Sequence, residues 1–151
     1  MANAFLDTSA LVKYYHPEEG TQEVTQIIEE PMSCHYISRL SLVETVSAFA
    51  VKFRLGHIDE QGFMDLRRRF YHDIGQSRFR IMPVTTSRYQ AAMQLIAKHF
   101  RIRLRTLDAL QLAVALALSH QGMVDHFVCA DHRLCETAME EGLSVINPNG
   151  P

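Results

Sequence analysis

What the 151-residue sequence lacks narrows its roles first. No apolar run approaches the ~20 residues that a helix needs to cross a bilayer, so a membrane-spanning role is not expected. The opening Met-Ala-Asn-Ala-Phe-Leu-Asp has neither the charged stretch nor the long apolar stretch of a secretion signal, and the expected location is the cytoplasm. Cysteine is scarce. Cys34, Cys129 and Cys135 are odd in number and lack zinc-site spacing, which argues against a disulfide scaffold and fits reduced thiols. Cys129 and Cys135 have apolar neighbours and read as core fillers. No Gly-x-Gly-x-x-Gly or Walker loop supports a nucleotide cofactor, and the eight histidines form no His-x-x-x-His or His-Glu-x-x-His pattern. No repeat, low-complexity tract or Pro/Ser-rich linker interrupts the chain, so residues 1–151 are expected to form one domain.

What is present is an ordinary folded composition, 47% apolar and 21% charged, arranged as strands alternating with helices. Residues 2–6, 34–37, 79–83, 126–129 and 143–146 read as strands, rich in Phe, Tyr, Ile and Val. Helices are expected over 9–15, 21–30, 41–55, 59–72, 85–100, 107–120 and 133–141, with Pro17, Pro31, Gly56 and Gly122 as stops. Within 41–55 the apolar face is Leu42, Val43, Val46, Phe49, Ala50 and Phe53. Within 59–72 it is Phe63, Leu66 and Phe70, and within 85–100 it is Tyr89, Ala92, Met93 and Ile96. The helix over 107–120 is apolar almost all round, which means burial on several sides. This alternation specifies an α/β fold, a three-layer α/β/α sandwich around a mainly parallel five-stranded sheet. A ligand site is then expected beyond the carboxyl ends of the strands.

Four acids are expected at that edge. Asp7 and Asp131 each end an apolar strand. Glu44 lies in the first turn of the helix after the second strand, and Asp108 opens the helix that runs antiparallel to the fourth. Each acid also has a plain reading: Ser41-x-x-Glu44 matches a capping box, Asp108 suits a helix dipole, and Asp7 and Asp131 are good N-caps. Crowded carboxylates repel, so an empty site should keep a proton on at least one of them. An oxygen-only set favours hard cations over zinc.

At these residues the chain resembles a known family, the PIN-domain ribonucleases, and within it the VapC-like toxins of bacterial type II toxin–antitoxin pairs. The likeness rests on Phe-Leu-Asp7-Thr8-Ser9-Ala-Leu-Val, Ser-Leu-Val-Glu44, Leu-Asp108-Ala-Leu-Gln-Leu-Ala-Val-Ala and Ala-Asp131-His-Arg-Leu, closed by Glu-Gly-Leu-Ser-Val-Ile-Asn-Pro. It covers essentially the whole chain in order. The resemblance implies a PIN-like sandwich, Mg²⁺ or Mn²⁺ dependence and endonucleolytic cleavage of RNA. Asp7, Glu44, Asp108 and Asp131 are its acidic set, with Thr8 or Ser9 as a polar helper. Asp7 and Asp108 are expected as core ligands, Asp131 as a ligand directly or through water, and Glu44 as a ligand or as the residue that positions the attacking water. An antitoxin protein and a second copy of the chain are the expected partners.

The phosphate backbone also needs cations. Arg101, Arg103 and Arg105 precede Asp108, and Arg133 follows Asp131. These four are the candidate RNA contacts. The net charge of −2 opposes generic nucleic-acid affinity only weakly: 17 acids less the four leaves 13, against 15 Lys plus Arg. The rival reading is a non-catalytic regulatory or RNA-binding domain on the same fold. Phosphoryl transfer at Asp7 fits less well, because Ser9 stands where a second acid is usual.

Overall fold

Ala4, Phe5 and Leu6 are all buried, as are His35 to Ser38, the pattern of strands covered on both faces. In the computed structural model, which describes residues 2–151, these form β1 (Ala4–Leu6) and β2 (His35–Ser38). Helices α1 (Thr8–Tyr15) and α2 (Thr21–Ile28) lie between them. After β2 come α3 (Leu40–Arg54), α4 (Glu60–Gly75), β3 (Arg80–Met82), α5 (Thr86–Lys98) and α6 (Thr106–His120). The chain then runs through β4 (His126–Val128), α7 (His132–Glu140) and β5 (Val145–Ile146).

The sheet order is β3-β2-β1-β4-β5, and every strand pair is parallel. Parallel pairing forces crossovers, and the alternating side chains of each strand separate two cores. Ala4 and Leu6 point into one, with Leu11, Tyr15, Val24, Phe49 and Phe70 from α1 to α4. Phe5 and Phe127 point into the other, with Leu95, Leu112, Leu118 and Leu134 from α5 to α7. The three-layer α/β/α sandwich is therefore observed, with its sheet wholly rather than mainly parallel. Among the described residues no helix is long and apolar enough to cross a membrane.

Two helical stripes differ from expectation. Tyr89 and Met93 of α5 are exposed, at 51% and 70%, while Ala92 and Leu95 are the residues buried there. The period holds and Ala92 is covered as expected, but the phase is displaced, because α5 packs on the core of α6 through Ala92 and Leu95 and leaves Tyr89 and Met93 outside. In α3, Val43 and Phe53 are exposed and the buried residues are Ser41, Thr45 and Phe49. Leu42 and Val46 pack against the core as expected, and the hydroxyls of Ser41 and Thr45 are buried beside them.

The sheet order reverses direction between β1 and β4. Connections leave these two neighbours on opposite sides, which opens a crevice at their carboxyl ends. Asp7 and Asp131 sit at that crevice.

Candidate active site

Asp7 follows Leu6 directly and caps α1. Its Oδ2 accepts from the Ser9 amide at 3.1 Å and the Ser9 hydroxyl at 2.6 Å. Its own backbone N–H donates to the Val128 carbonyl at 2.9 Å, which ties the acid to β4 as well as β1. The residue is 4% exposed. Burial pushes its carboxyl up to about 6; the Ser9 bonds oppose this, and the charges of Asp108 and Glu44 add to it.

Glu44 lies one turn into α3, half-buried. Its Oε1 accepts from Gln111 Nε2 at 2.9 Å and from the Thr8 hydroxyl at 3.2 Å. Burial again raises the carboxyl, and these two bonds oppose the rise. The capping-box reading does not hold here. Ser41 is already inside α3, and its hydroxyl meets Thr8 Oγ1 at 2.9 Å and Gln111 Nε2 at 2.9 Å.

Asp108 and Asp131 share one arginine. Arg105 Nε donates to Asp108 Oδ2 at 2.9 Å, and its Nη2 donates to Asp131 Oδ2 at 3.3 Å. Asp131 is also the N-cap of α7, where Oδ1 accepts from the Leu134 amide at 3.1 Å. The plain capping reading thus holds for one oxygen of Asp131, and Asp7 combines a cap with its place at the crevice.

All four acids line one cleft of about 370 Å³, together with Thr8, Ser9 and Arg105; Val43, Val51 and Leu107 form its apolar wall. Arg103, Arg105 and Arg133 line an adjoining cleft of about 360 Å³ that again touches Asp108 and Asp131. Arg101 lines neither cleft, and its guanidinium stacks over Phe100 at 4.5 Å. Among the described residues, no three His, Cys, Asp or Glu side chains stand as a ready metal-binding group. The donor set still suits a hard cation. Its oxygens are all carboxylate, and the hydrogen bonds among the described residues leave Asp7 Oδ1, Glu44 Oε2 and Asp108 Oδ1 unengaged.

Two participants were not anticipated. Gln111 is 1% exposed in a helix whose other buried residues are apolar, and a buried carboxamide requires partners. That lone polar position is the trace it leaves in the sequence. Cys129 is buried as expected, yet it is more than filler. Its sulfur accepts from the Asp131 amide at 3.4 Å and lies 3.8 Å from Asp7 Oδ2.

Comparison with known proteins identifies the family and the fold. The PIN domain family model matches residues 4–140. Among solved structures, the chain is similar to Mycobacterium tuberculosis VapC20, described as a sarcin–ricin-loop-cleaving toxin. The TM-score is 0.67 at 16% identity, over 96% of this chain and 99% of that one. It is also similar to FitAcB from Neisseria gonorrhoeae, with TM-score 0.66 and 18% identity over 96% and 97% of the two chains. VapBC2 from Rickettsia felis, bound to a DNA fragment from its promoter, gives TM-score 0.64 and 15% identity over 96% and 98%. No curated protein matches by sequence.

Proposed function

Because the chain belongs to the PIN domain family, we propose that it is a Mg²⁺- or Mn²⁺-dependent endoribonuclease, the toxin of a type II toxin–antitoxin pair. The reading places the protein in the cytoplasm as a single PIN-like domain over 1–151. One observation carries it: four carboxylates from four separate elements line one cleft at the crevice between β1 and β4. The relatives VapC20, FitAcB and VapBC2 support the toxin assignment through their fold.

In this reading Asp7, Asp108 and Glu44, which keep carboxylate oxygens free of hydrogen bonds, would hold the cation, and Asp131 would add to the set while it keeps its cap. The cation supplies Lewis acidity towards a water and the scissile phosphate. The residues of the chain do the rest. Ser9 fixes the rotamer of Asp7 through two bonds to one oxygen. Thr8 holds Glu44 so that its second oxygen faces the cleft and can orient the attacking water or take its proton. Arg105 offsets the charge of Asp108 and Asp131, and with Arg103 and Arg133 it would offer positive charge to the phosphate beside the acids. Arg101, stacked on Phe100, is a more distant RNA contact.

Two partners follow. Exposed Val43, Val51 and Leu55 on and just beyond α3 offer an apolar strip to an antitoxin peptide. Tyr89, Met93, Ile96 and Phe100, on and just beyond α5, offer a face to a second copy in a homodimer.

The test is cleavage of RNA by metal-stripped protein. EDTA should stop cleavage and Mn²⁺ should restore it, while Asp7→Asn stays inactive under both conditions. Cleavage indifferent to chelator would falsify the mechanism. The second reading, a non-catalytic regulatory or RNA-binding domain, draws on the Arg105 bridge, which satisfies two acids without any metal. RNA binding without cleavage in Mn²⁺, and no Mn²⁺-induced rise in melting temperature, would select it.

A further inference from the structure

Gln111 stands at the meeting point of three helices. Its Nε2 lies 2.9 Å from Glu44 Oε1 and 2.9 Å from Ser41 Oγ on α3, and 3.1 Å from Thr8 Oγ1 on α1. The group has two hydrogens, and one arrangement uses every donor. Gln111 donates to Glu44 and to Ser41, Ser41 donates to Thr8, and Thr8 donates to Glu44. The amide orientation follows from chemistry. With the carbonyl oxygen in place of the nitrogen, two acceptors would face each other at Glu44. The chosen orientation leaves Gln111 Oε1 buried without a partner among the described residues. An unpaired buried carbonyl carries a desolvation cost. A fold that tolerates such a cost beside an acid cluster gains something from the donor on the other side of the amide.

We infer that Gln111 is a positioning residue, which holds Glu44 as a one-oxygen ligand or base at a fixed spacing from Asp108. This rests on the nuclease reading of the site. Both donors from the ring fall on Oε1, so only Oε2 is left for the cleft. Asp108 and Gln111 are three residues apart on α6, and their separation is set by helix geometry. The grip of Gln111 on Glu44 therefore transmits that rigidity across to α3. Ser41 is fully buried and anchors the inner side of the ring, while Thr8 and Glu44 face the cleft. Without the amide, Glu44 keeps only the Thr8 hydroxyl, and its carboxylate is free to rotate both oxygens into the cleft or away from it.

The experiment compares wild type with Gln111→Met, which keeps the volume and removes both N–H groups, and Gln111→His, which returns one ring N–H. Metal-free stability by urea, Mn²⁺ affinity by calorimetry, and kcat and KM on a short RNA are measured for each. Gln111→Met should weaken Mn²⁺ binding about 10- to 100-fold and lower kcat with little change in KM, as expected for a group acting through a ligand. Gln111→His should recover part of both losses. Wild-type Mn²⁺ affinity and kcat in Gln111→Met, or equal losses in the Met and His variants, would overturn the assignment. If Gln111→Met does not fold, Ser41→Ala decides. It loosens the same amide, and an unchanged Mn²⁺ affinity there overturns the proposal. A wild type that binds no Mn²⁺ removes the nuclease reading itself, and this inference with it. Bound Mn²⁺ with indifferent variants removes this inference alone.

Discussion

On Asp7 two demands meet in one carboxylate. As the N-cap of α1 it accepts from Ser9, which favours the ionised form, while burial at the foot of the cleft favours the neutral form and wins, placing it at about 6. The sign for stability follows. The folded value lies above the ordinary 3.8, so the folded chain retains a proton that the unfolded chain loses. Stability from this group is full below about 3.8, falls as pH rises, and is gone above about 6. The penalty at neutral pH is on the order of 3 kcal/mol. Asp7→Asn, which keeps a capping oxygen, should therefore raise the melting temperature of the metal-free protein at pH 8. The gain should shrink towards pH 5, as read by calorimetry at both values. A lower melting temperature at pH 8 would mean that capping, not burial, governs this residue. In the proposed nuclease reading Mn²⁺ would need the carboxylate form, so affinity should climb with pH up to about 6 and then flatten. Arg105 carries the opposite charge in the same space. Arg105→Ala removes the cation shared by Asp108 and Asp131. It should lower metal-free stability, strengthen Mn²⁺ binding several-fold, and weaken RNA binding. Unchanged Mn²⁺ affinity would show that the guanidinium does not compete for the site.

The turn into α2 shows how an element depends on backbone as well as pattern. Gly20 has φ of 84°, and a Cβ there would lie 2.8 Å from Asn149 Oδ1 and 2.9 Å from the Pro148 carbonyl oxygen. The left-handed conformation and the close approach of the Asn-Pro tail both demand glycine. Gly20→Ala should cost roughly 1–3 kcal/mol in urea unfolding while Mn²⁺ affinity stays as in wild type, because the tail lies away from the cleft. This seam was invisible in sequence, where the tail reads only as an ending. The strand–helix alternation and the caps at Asp7 and Asp131 were legible, because they are local. The phase of α5 was not: Tyr89 and Ala92 satisfy the same period, and only docking on α6 decides which is covered. The same limit applied at the site. Asp7, Glu44, Asp108 and Asp131 could be placed at one edge by strand direction alone. That Gln111 would reach across from α6 to Glu44, or that Arg105 would join Asp108 to Asp131, depends on side chains 67 and 26 residues apart in sequence.

Across the whole molecule the net charge is −2, and its distribution matters more than its sum. Four acids crowd the cleft while Arg103, Arg105 and Arg133 line the adjoining one. An RNA strand is thus repelled at the acids and attracted beside them, and a cation in the acid cleft would remove the repulsion. Each phosphate neutralised on a single strand contributes about −0.7 to the slope of log affinity against log salt. In an Asp7→Asn background, which keeps the RNA uncut, Arg133→Ala should therefore weaken binding and make the slope shallower by about 0.7. Arg68→Ala removes the same charge from α4, where Arg68 is exposed and pairs with Asp65 at 3.6 Å, and lines neither cleft. It should leave the slope unchanged, since an exposed charge that is already paired and lines neither cleft is screened by salt and attracts the strand little. Fluorescence anisotropy on a labelled single strand, from 50 to 300 mM salt or roughly that range, separates the two. Equal changes in both variants would mean that the RNA responds to overall charge, and the cleft beside the acids would lose its claim to the strand.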